Sequence, residues 1–268
     1  MQRLNKLISG RSDIHIRSSI VMNINSFNSR KFSSTIKASS SEQETTIKKY
    51  GGMMGKNWDE LWQNNQTPWD TKQGCPILRH LVENVYNNRS DLKHGLIPGC
   101  GNGYDADLMS GIKSIETVTG LDISETAVES ANGKKESFSY GQVSKVSFVC
   151  GDFFNVDKKF DIIFDYTFLC ALPLSLRESW AKQMKNLLNS KENPQSELVT
   201  LIFPLFKYNK NGQLETDPTV GPPYLLNFEL VEKLLTQQGF TLIEKYPVPA
   251  NLSHPARVNN EIIARWKL

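Results

Sequence analysis

Gly95-Leu96-Ile97-Pro98-Gly99-Cys100-Gly101-Asn102-Gly103-Tyr104-Asp105 decides the fold. A short apolar run reads as a strand, three glycines spaced GxGxG make a tight turn, and the following residues open a helix. Glycines let the backbone approach a ligand closely, with helix N–H groups facing it. Outward from this loop, short apolar runs alternate with helical stretches. The runs are 94–98, 117–121, 146–150, 160–166, 198–203, 241–244 and 261–266, with helices expected at about 103–110, 124–132, 175–189 and 227–238. Strands alternating with helices imply an α/β, doubly wound, mostly parallel sheet, here of seven strands. The last two runs have only a proline-rich loop between them, so the C-terminal strand is expected to be antiparallel at one edge. Ser175 with Glu178 reads as a capping box, and Gly239 as the end of the last helix.

Two acids follow the loop in order. Asp122 ends the second strand, where a carboxylate can accept both hydroxyls of an adenosine ribose. Asp152 ends the third, where it can take an adenine amino group while Phe153 lies against the ring. The plainer readings are that Asp122 caps a helix and Asp152 sits in a turn. A dinucleotide fingerprint starting at Gly99 needs glycine at 104, where Tyr104 stands, and no Walker lysine follows. The tighter loop suits the short, phosphate-free methionine tail of S-adenosylmethionine.

Upstream, Asn57-Trp58-Asp59-Glu60-Leu61-Trp62 reads as a short helix, and Pro76 opens an amphipathic one through Val85. Trp58-Asp59-Glu60-Leu61-Trp62, Thr67-Pro68-Trp69-Asp70, Ile97-Pro98-Gly99-Cys100-Gly101, Gly120-Leu121-Asp122-Ile123-Ser124, Phe160-Asp161-Ile162-Ile163-Phe164-Asp165-Tyr166, Gly221-Pro222-Pro223-Tyr224 and Ala264-Arg265-Trp266-Lys267 occur in that order. From about residue 55 onward this resembles the thiopurine S-methyltransferase family, in particular its plant-type thiol, halide and thiocyanate methyltransferase branch. The resemblance implies a class I, Rossmann-like methyltransferase sheet with S-adenosylmethionine as methyl donor. It carries cofactor contacts to Trp58, Trp62, Trp69, Gly99, Gly101, Asp122, Asp152, Phe153 and Tyr166. Tyr166 and Tyr224 are the candidates for lining the acceptor pocket. The chain departs from the family pattern at Asn102, at Tyr104 and in an inserted stretch, 205–219. Spacing alone makes Trp58 and Trp62 a core stripe. The resemblance makes the tryptophans an N-terminal helical lid, whose ring faces would meet a sulfonium cation and exclude water.

Charge divides the chain of 268 residues. The first 37 hold seven basic residues against one acid, Asp13, whereas residues 38–268 hold 24 basic and 27 acidic groups. An Arg- and Ser-rich, acid-poor start describes a mitochondrial presequence, with a cytosolic address as the alternative. Residues 1–48 are therefore set aside, and 49–268 form the catalytic domain. The acidic body lacks the basic stripe of a nucleic-acid binder, and no run is long enough to span a bilayer. Cys75, Cys100, Cys150 and Cys170 have no metal-ligand spacing. The four histidines form no pair or triad, and His254, near Arg257, reads as a loop residue. The chain is thus expected to be a monomeric enzyme moving a methyl group to a small thiol or inorganic anion, without metal, nucleic acid or membrane. The competing readings are a nicotinamide-linked oxidoreductase and a non-catalytic cofactor-binding protein.

Overall fold

The computed structural model describes residues 57–268; the expected presequence lies outside the described residues. The chain enters as a helix over residues 57–63, called α1. Then follow α2 (Pro76–Asn84), β1 (His94–Pro98), α3 (Tyr104–Ser110), β2 (Thr117–Asp122), α4 (Glu125–Lys134), β3 (Val146–Cys150) and β4 (Ile162–Tyr166). The chain ends with α5 (Arg177–Leu187), β5 (Glu197–Ile202), α6 (Phe228–Thr236), β6 (Thr241–Pro247) and β7 (Ile262–Lys267).

Seven strands form one sheet in the order β3-β2-β1-β4-β5-β7-β6. The first five are parallel, and β7 runs antiparallel to both β5 and β6. The two C-terminal strands thus make the expected antiparallel edge pair, but β7 lies inside it and β6 is outermost. The order reverses direction between β1 and β4, and ligands of open α/β sheets bind in the crevice at such a point.

Alternation along each strand assigns the two layers. Leu96 and Ile163 join Trp180, Met184 and Leu187 of α5, with Phe228, Val231 and Leu235 of α6, on one side. Ile97 and Ile162 join Ile77, Leu78, Leu81 and Val82 of α2, with Ala106, Leu108 and Met109 of α3, on the other. The paired positions in α2 are the i, i+1, i+4, i+5 stripe written into its sequence. Asn227 caps α6 through the Leu230 N–H, and α6 closes at Gly239 as expected, where the Phe240 N–H returns to the Leu235 carbonyl at 3.1 Å.

One expected cap does not form. Ser175 lies inside a 3-10 turn, Leu174–Leu176, which Pro173 opens and which feeds straight into α5. The helix therefore starts from the buried Leu176, already helical in its backbone, with no side-chain cap.

Candidate active site

Strand register assembles the site. Pro98 pairs with Leu121 and Asp122 pairs with Cys150, so the ends of β1, β2 and β3 lie side by side. Gly99 and Gly101 have φ of +61° and +50°, a region costly for other residues. A Cβ on Gly99 would stand 2.8 Å from the Phe168 ring, and one on Gly101 would stand 3.2 Å from Trp62. The Gly101 N–H donates to Asp122 Oδ2 at 2.9 Å and the Ser124 N–H to Oδ1 at 3.0 Å. Each oxygen keeps a lone pair for a ligand hydroxyl. Burial pushes the Asp122 carboxyl above its ordinary value, against the pull of those N–H bonds. Asp152 accepts the Phe154 N–H at 2.9 Å and caps a 3-10 turn. Asp152 thus sits in a turn, as its plainer reading had it. Asp122 instead holds the turn before α4 and leaves the capping of that helix to Ser124. Both acids also line a common cavity.

That cavity measures about 690 Å³. Trp58, Trp62, Trp69, Gly99, Gly101, Asp122, Asp152, Phe153 and Tyr166 all line it. The tryptophans are not a core stripe. All three are half-buried, with Trp69 edge-on to Trp58 at 5.0 Å and to Trp62 at 6.2 Å between ring centroids, whereas Trp180 and Trp266 occupy the core. Phe153 is held edge-on by Phe168 at 4.9 Å.

The lid is clasped by polar residues whose role sequence reasoning missed. Asp59 accepts the Ser124 hydroxyl at 2.7 Å and the Thr126 N–H at 2.9 Å, so α1 supplies an anion to the N-terminus of α4. These bonds hold the Asp59 carboxyl below its ordinary value. Asp70 accepts the Asn102 side-chain amide, whose oxygen accepts the Ser130 hydroxyl at 2.7 Å. Asn102, a departure from the family pattern, is thus a clasp between lid and loop.

Tyr166 donates its hydroxyl to Glu261 Oε1 at 3.0 Å, and Ser253 donates to the other oxygen of that buried carboxylate. Burial pushes the Tyr166 phenol well above its ordinary range, so it stays protonated. Tyr224 does not line the cavity. Its ring lies against Gly221, its N–H donates to the Cys170 carbonyl at 2.8 Å, and Pro222 and Pro223 form the wall in its place. The insertion 205–219 also stays outside the wall; Lys207 ties it to the rim through the Pro223 carbonyl at 2.9 Å. Asp165 accepts the Trp180 indole N–H at 2.8 Å and the Leu169 N–H at 3.1 Å, fixing the turn that carries Tyr166, Thr167 and Phe168. His254 caps a turn through the Ala256 N–H, as expected of a loop residue.

Arg257 is the unforeseen member. It is 7% exposed, and its guanidinium lies 4.8 Å from the Tyr166 ring centroid and 4.5 Å from that of Phe203. Nη2 donates to the Trp69 carbonyl at 2.9 Å, while buried Nη1 has no partner among the described residues. The only signal in the sequence was a lone arginine in a proline-rich loop. Among the described residues it is the one cation lining the cavity, which also holds four carboxylates, Asp70, Asp105, Asp122 and Asp152. That acidic excess, the glycine cradle and the aromatic lid fit a cofactor bearing a sulfonium and an ammonium.

The crevice at the switch point, with its cradle and paired acids, defines a class I S-adenosylmethionine-dependent methyltransferase. Solved structures of that class share the fold. The glycopeptide N-methyltransferase MtfA complexed with S-adenosylmethionine gives a TM-score of 0.54 at 14% identity, covering 74% of this chain and 96% of that one. The CcbJ methyltransferase from Streptomyces caelestis gives 0.55 at 14%, covering 78% and 95%. Residues 53–263 match the thiopurine S-methyltransferase family model, and the chain belongs to that family. It is 37% identical to "Probable thiol methyltransferase 2" of Arabidopsis thaliana, over 78% of this chain and 84% of that one. It is 35% identical to "Thiocyanate methyltransferase 1" of the same plant, over 78% and 83%. The protein is an S-adenosylmethionine-dependent methyltransferase acting on small molecules. Among the described residues no helix is long and apolar enough to cross a membrane.

Proposed function

We propose that the acceptor is a small, soft anion: a thiolate or hydrosulfide, thiocyanate or a halide. The observation that carries this reading is the unpartnered Nη1 of Arg257, buried in the cavity wall beside the Tyr166 and Phe203 rings. A buried guanidinium N–H without a partner is unfavourable, and an anionic acceptor would satisfy it. The names of the Arabidopsis relatives support the same class.

Bound S-adenosylmethionine would supply a sulfonium methyl carbon for a nucleophile to attack in line, with the thioether of S-adenosylhomocysteine as leaving group. The protein has correspondingly little acid–base work to do. A thiol of pKa about 8.5 is only a few per cent ionised at pH 7, and a cation within about 4–6 Å lowers such a pKa by roughly 1–3 units. Arg257 thus selects the ionised acceptor, and protonated Tyr166 orients Arg257 rather than accepting a proton. The aromatic lid and the proline rim strip water from a nucleophile that water would otherwise blunt. Alignment of two bound reactants accounts for the largest share of the rate, up to about 7–11 kcal/mol in well-oriented systems.

A competition assay with labelled S-adenosylmethionine against iodide, thiocyanate, hydrosulfide and an aromatic thiol tests the reading. At least one should be methylated with a KM that rises tenfold or more in Arg257→Met. Cofactor binding without transfer to any of them would sink it. We further propose that residues 1–48 direct the chain to mitochondria and are removed there. An intact residue 1, by mass, on organelle-purified protein would end that proposal.

A further inference from the structure

We propose that Asp105 binds the α-ammonium group of the cofactor's methionine tail. Asp105 is the second residue of α3, immediately behind the glycine loop, and lines the cavity. The other three carboxylates there are more fully engaged. Asp70 accepts from the Lys72 N–H and ammonium, each at 2.9 Å, and from Asn102. Asp122 receives one backbone N–H on each oxygen. Asp152 receives the Phe154 N–H and, at 3.5 Å, the Asn155 amide. Asp105 receives one bond, from the Cys75 N–H to Oδ1 at 2.7 Å, and no donor reaches Oδ2 among the described residues. No ion pair among those residues includes it.

Burial pushes the Asp105 carboxyl up to about 6, against the pull of the Cys75 N–H and of the Arg257 charge, and its Oδ2 is left free for a further donor. The inference rests on S-adenosylmethionine as cofactor, which carries two cations of different chemistry. The sulfonium has no N–H and is served by ring faces such as those of the lid. The ammonium has three N–H donors and needs acceptor lone pairs, which Asp105 Oδ2 offers. Position agrees, since Asp105 follows directly on the glycine loop and lines the same cavity as Gly99 and Gly101.

Calorimetry on the full chain separates this role from a structural one. S-Adenosylhomocysteine keeps the ammonium, whereas 5′-methylthioadenosine keeps the adenosine and thioether but lacks the amino-acid part. Asp105→Asn retains an acceptor for the Cys75 N–H, so the junction of α2 and α3 survives. The variant should lose at least tenfold in affinity for S-adenosylhomocysteine and change less than twofold for 5′-methylthioadenosine. A measurement on the unmodified protein stands independently: between pH 7 and pH 5 its affinity should fall for the first ligand and hold for the second. The groups facing Asp105 are Cys75 just before α2, Cys100 in the loop, Tyr166 on β4 and Arg257 before β7. Burial raises Cys75, Cys100 and Tyr166 well above neutrality. Equal losses for both ligands, or no loss for S-adenosylhomocysteine, would overturn the assignment. If the unmodified protein bound neither ligand, the cofactor reading would fail first and the assignment with it.

Discussion

The two ends of the sheet treat buried charge in opposite ways. At the start of β5, Glu197 is buried and fully matched. Arg265 grips it with two bonds of 2.8 and 2.9 Å, Arg89 pairs with it, and the Tyr86 hydroxyl adds a third donor at 3.2 Å. Nearby Asp161 accepts the Lys93 and His94 N–H groups and the Asn189 and Asn193 amides, which hold its carboxyl below the ordinary value despite burial. At the other end, where β4 delivers Tyr166, Arg257 and Asp105 are each left short of partners, and burial raises Asp105 and Asp165 to about 6. Closed electrostatics belong to the fold and open electrostatics to the ligands. The lesson is that a buried charge is informative by its missing partners.

The strongest way to break this contrast is to exchange the two behaviours. Glu197→Ala leaves two half-buried arginines without their carboxylate and should cost roughly 3–5 kcal/mol of stability, read as a lower urea midpoint with unchanged slope. Arg257→Met should do the reverse. It removes an unsatisfied guanidinium and keeps the volume beside Tyr166 and Phe203, so the urea midpoint should hold or rise. Meanwhile kcat/KM for the anionic acceptor should fall by about 2–4 kcal/mol, roughly 30- to 1000-fold. A tolerated Glu197→Ala, or an unfolded Arg257→Met, would dissolve the distinction.

How much of this could be read beforehand depends on how local the chemistry is. The glycine turn and the places of Asp122 and Asp152 beside it at the cavity were legible because a turn and the end of a strand are written in consecutive residues. The lid was legible only through the family resemblance, since Trp58 and Trp62 have the spacing of a core stripe. Arg257 was not legible: its partner Trp69 is 188 residues away, and nothing near Arg257 in the sequence separates it from a solvated loop arginine. The same holds for Asp59, which looks like any acid on an exposed helix until α4 is brought against it. Tyr224 failed for a related reason. Its motif borders the cavity, but the backbone turns the prolines inward and the tyrosine against Gly221. The interior place of β7 was hidden because a loop length constrains strand direction, not strand order.

Acid titration sharpens the contrast with a smaller effect. A carboxyl whose folded pKa lies above its unfolded value of about 3.9 binds extra protons in the folded state between those values. Its ionisation therefore weakens the fold as pH rises from about 4 to 6. Asp105 and Asp165 behave this way, whereas lowered carboxyls such as Asp161 lose their contribution only in stronger acid, below about pH 4. The ligand-free protein should gain about 1–3 kcal/mol on going from pH 7 to pH 5. Saturating S-adenosylhomocysteine at pH 7 should replace part of that gain, because its ammonium neutralises Asp105 without a proton. A stability curve that only falls below pH 7, with or without ligand, would place Asp105 and Asp165 in the same class as Asp161.

The smallest expected effect concerns the lid, which lies between the two regimes because its charge is paired but exposed to water. Asp59 bonds α4 through Ser124 and Thr126, and in Asp59→Ala water can take over both donors. The loss should be about 1 kcal/mol, as for a helix cap, with no change in the cooperative unfolding of the core. Its functional reading differs from that of Asp105→Asn. A looser lid weakens everything beneath it, so S-adenosylhomocysteine and 5′-methylthioadenosine should lose the same few-fold affinity. Fluorescence gives a second view, because Trp58, Trp62 and Trp69 report the lid while Trp180 and Trp266 remain buried. A red-shifted emission in Asp59→Ala that ligand binding reverses would identify Asp59 as a clasp of the lid. An unshifted spectrum with normal affinity for both ligands would mean that Asp70, Asn102 and the Arg257 contact to Trp69 hold the lid without it.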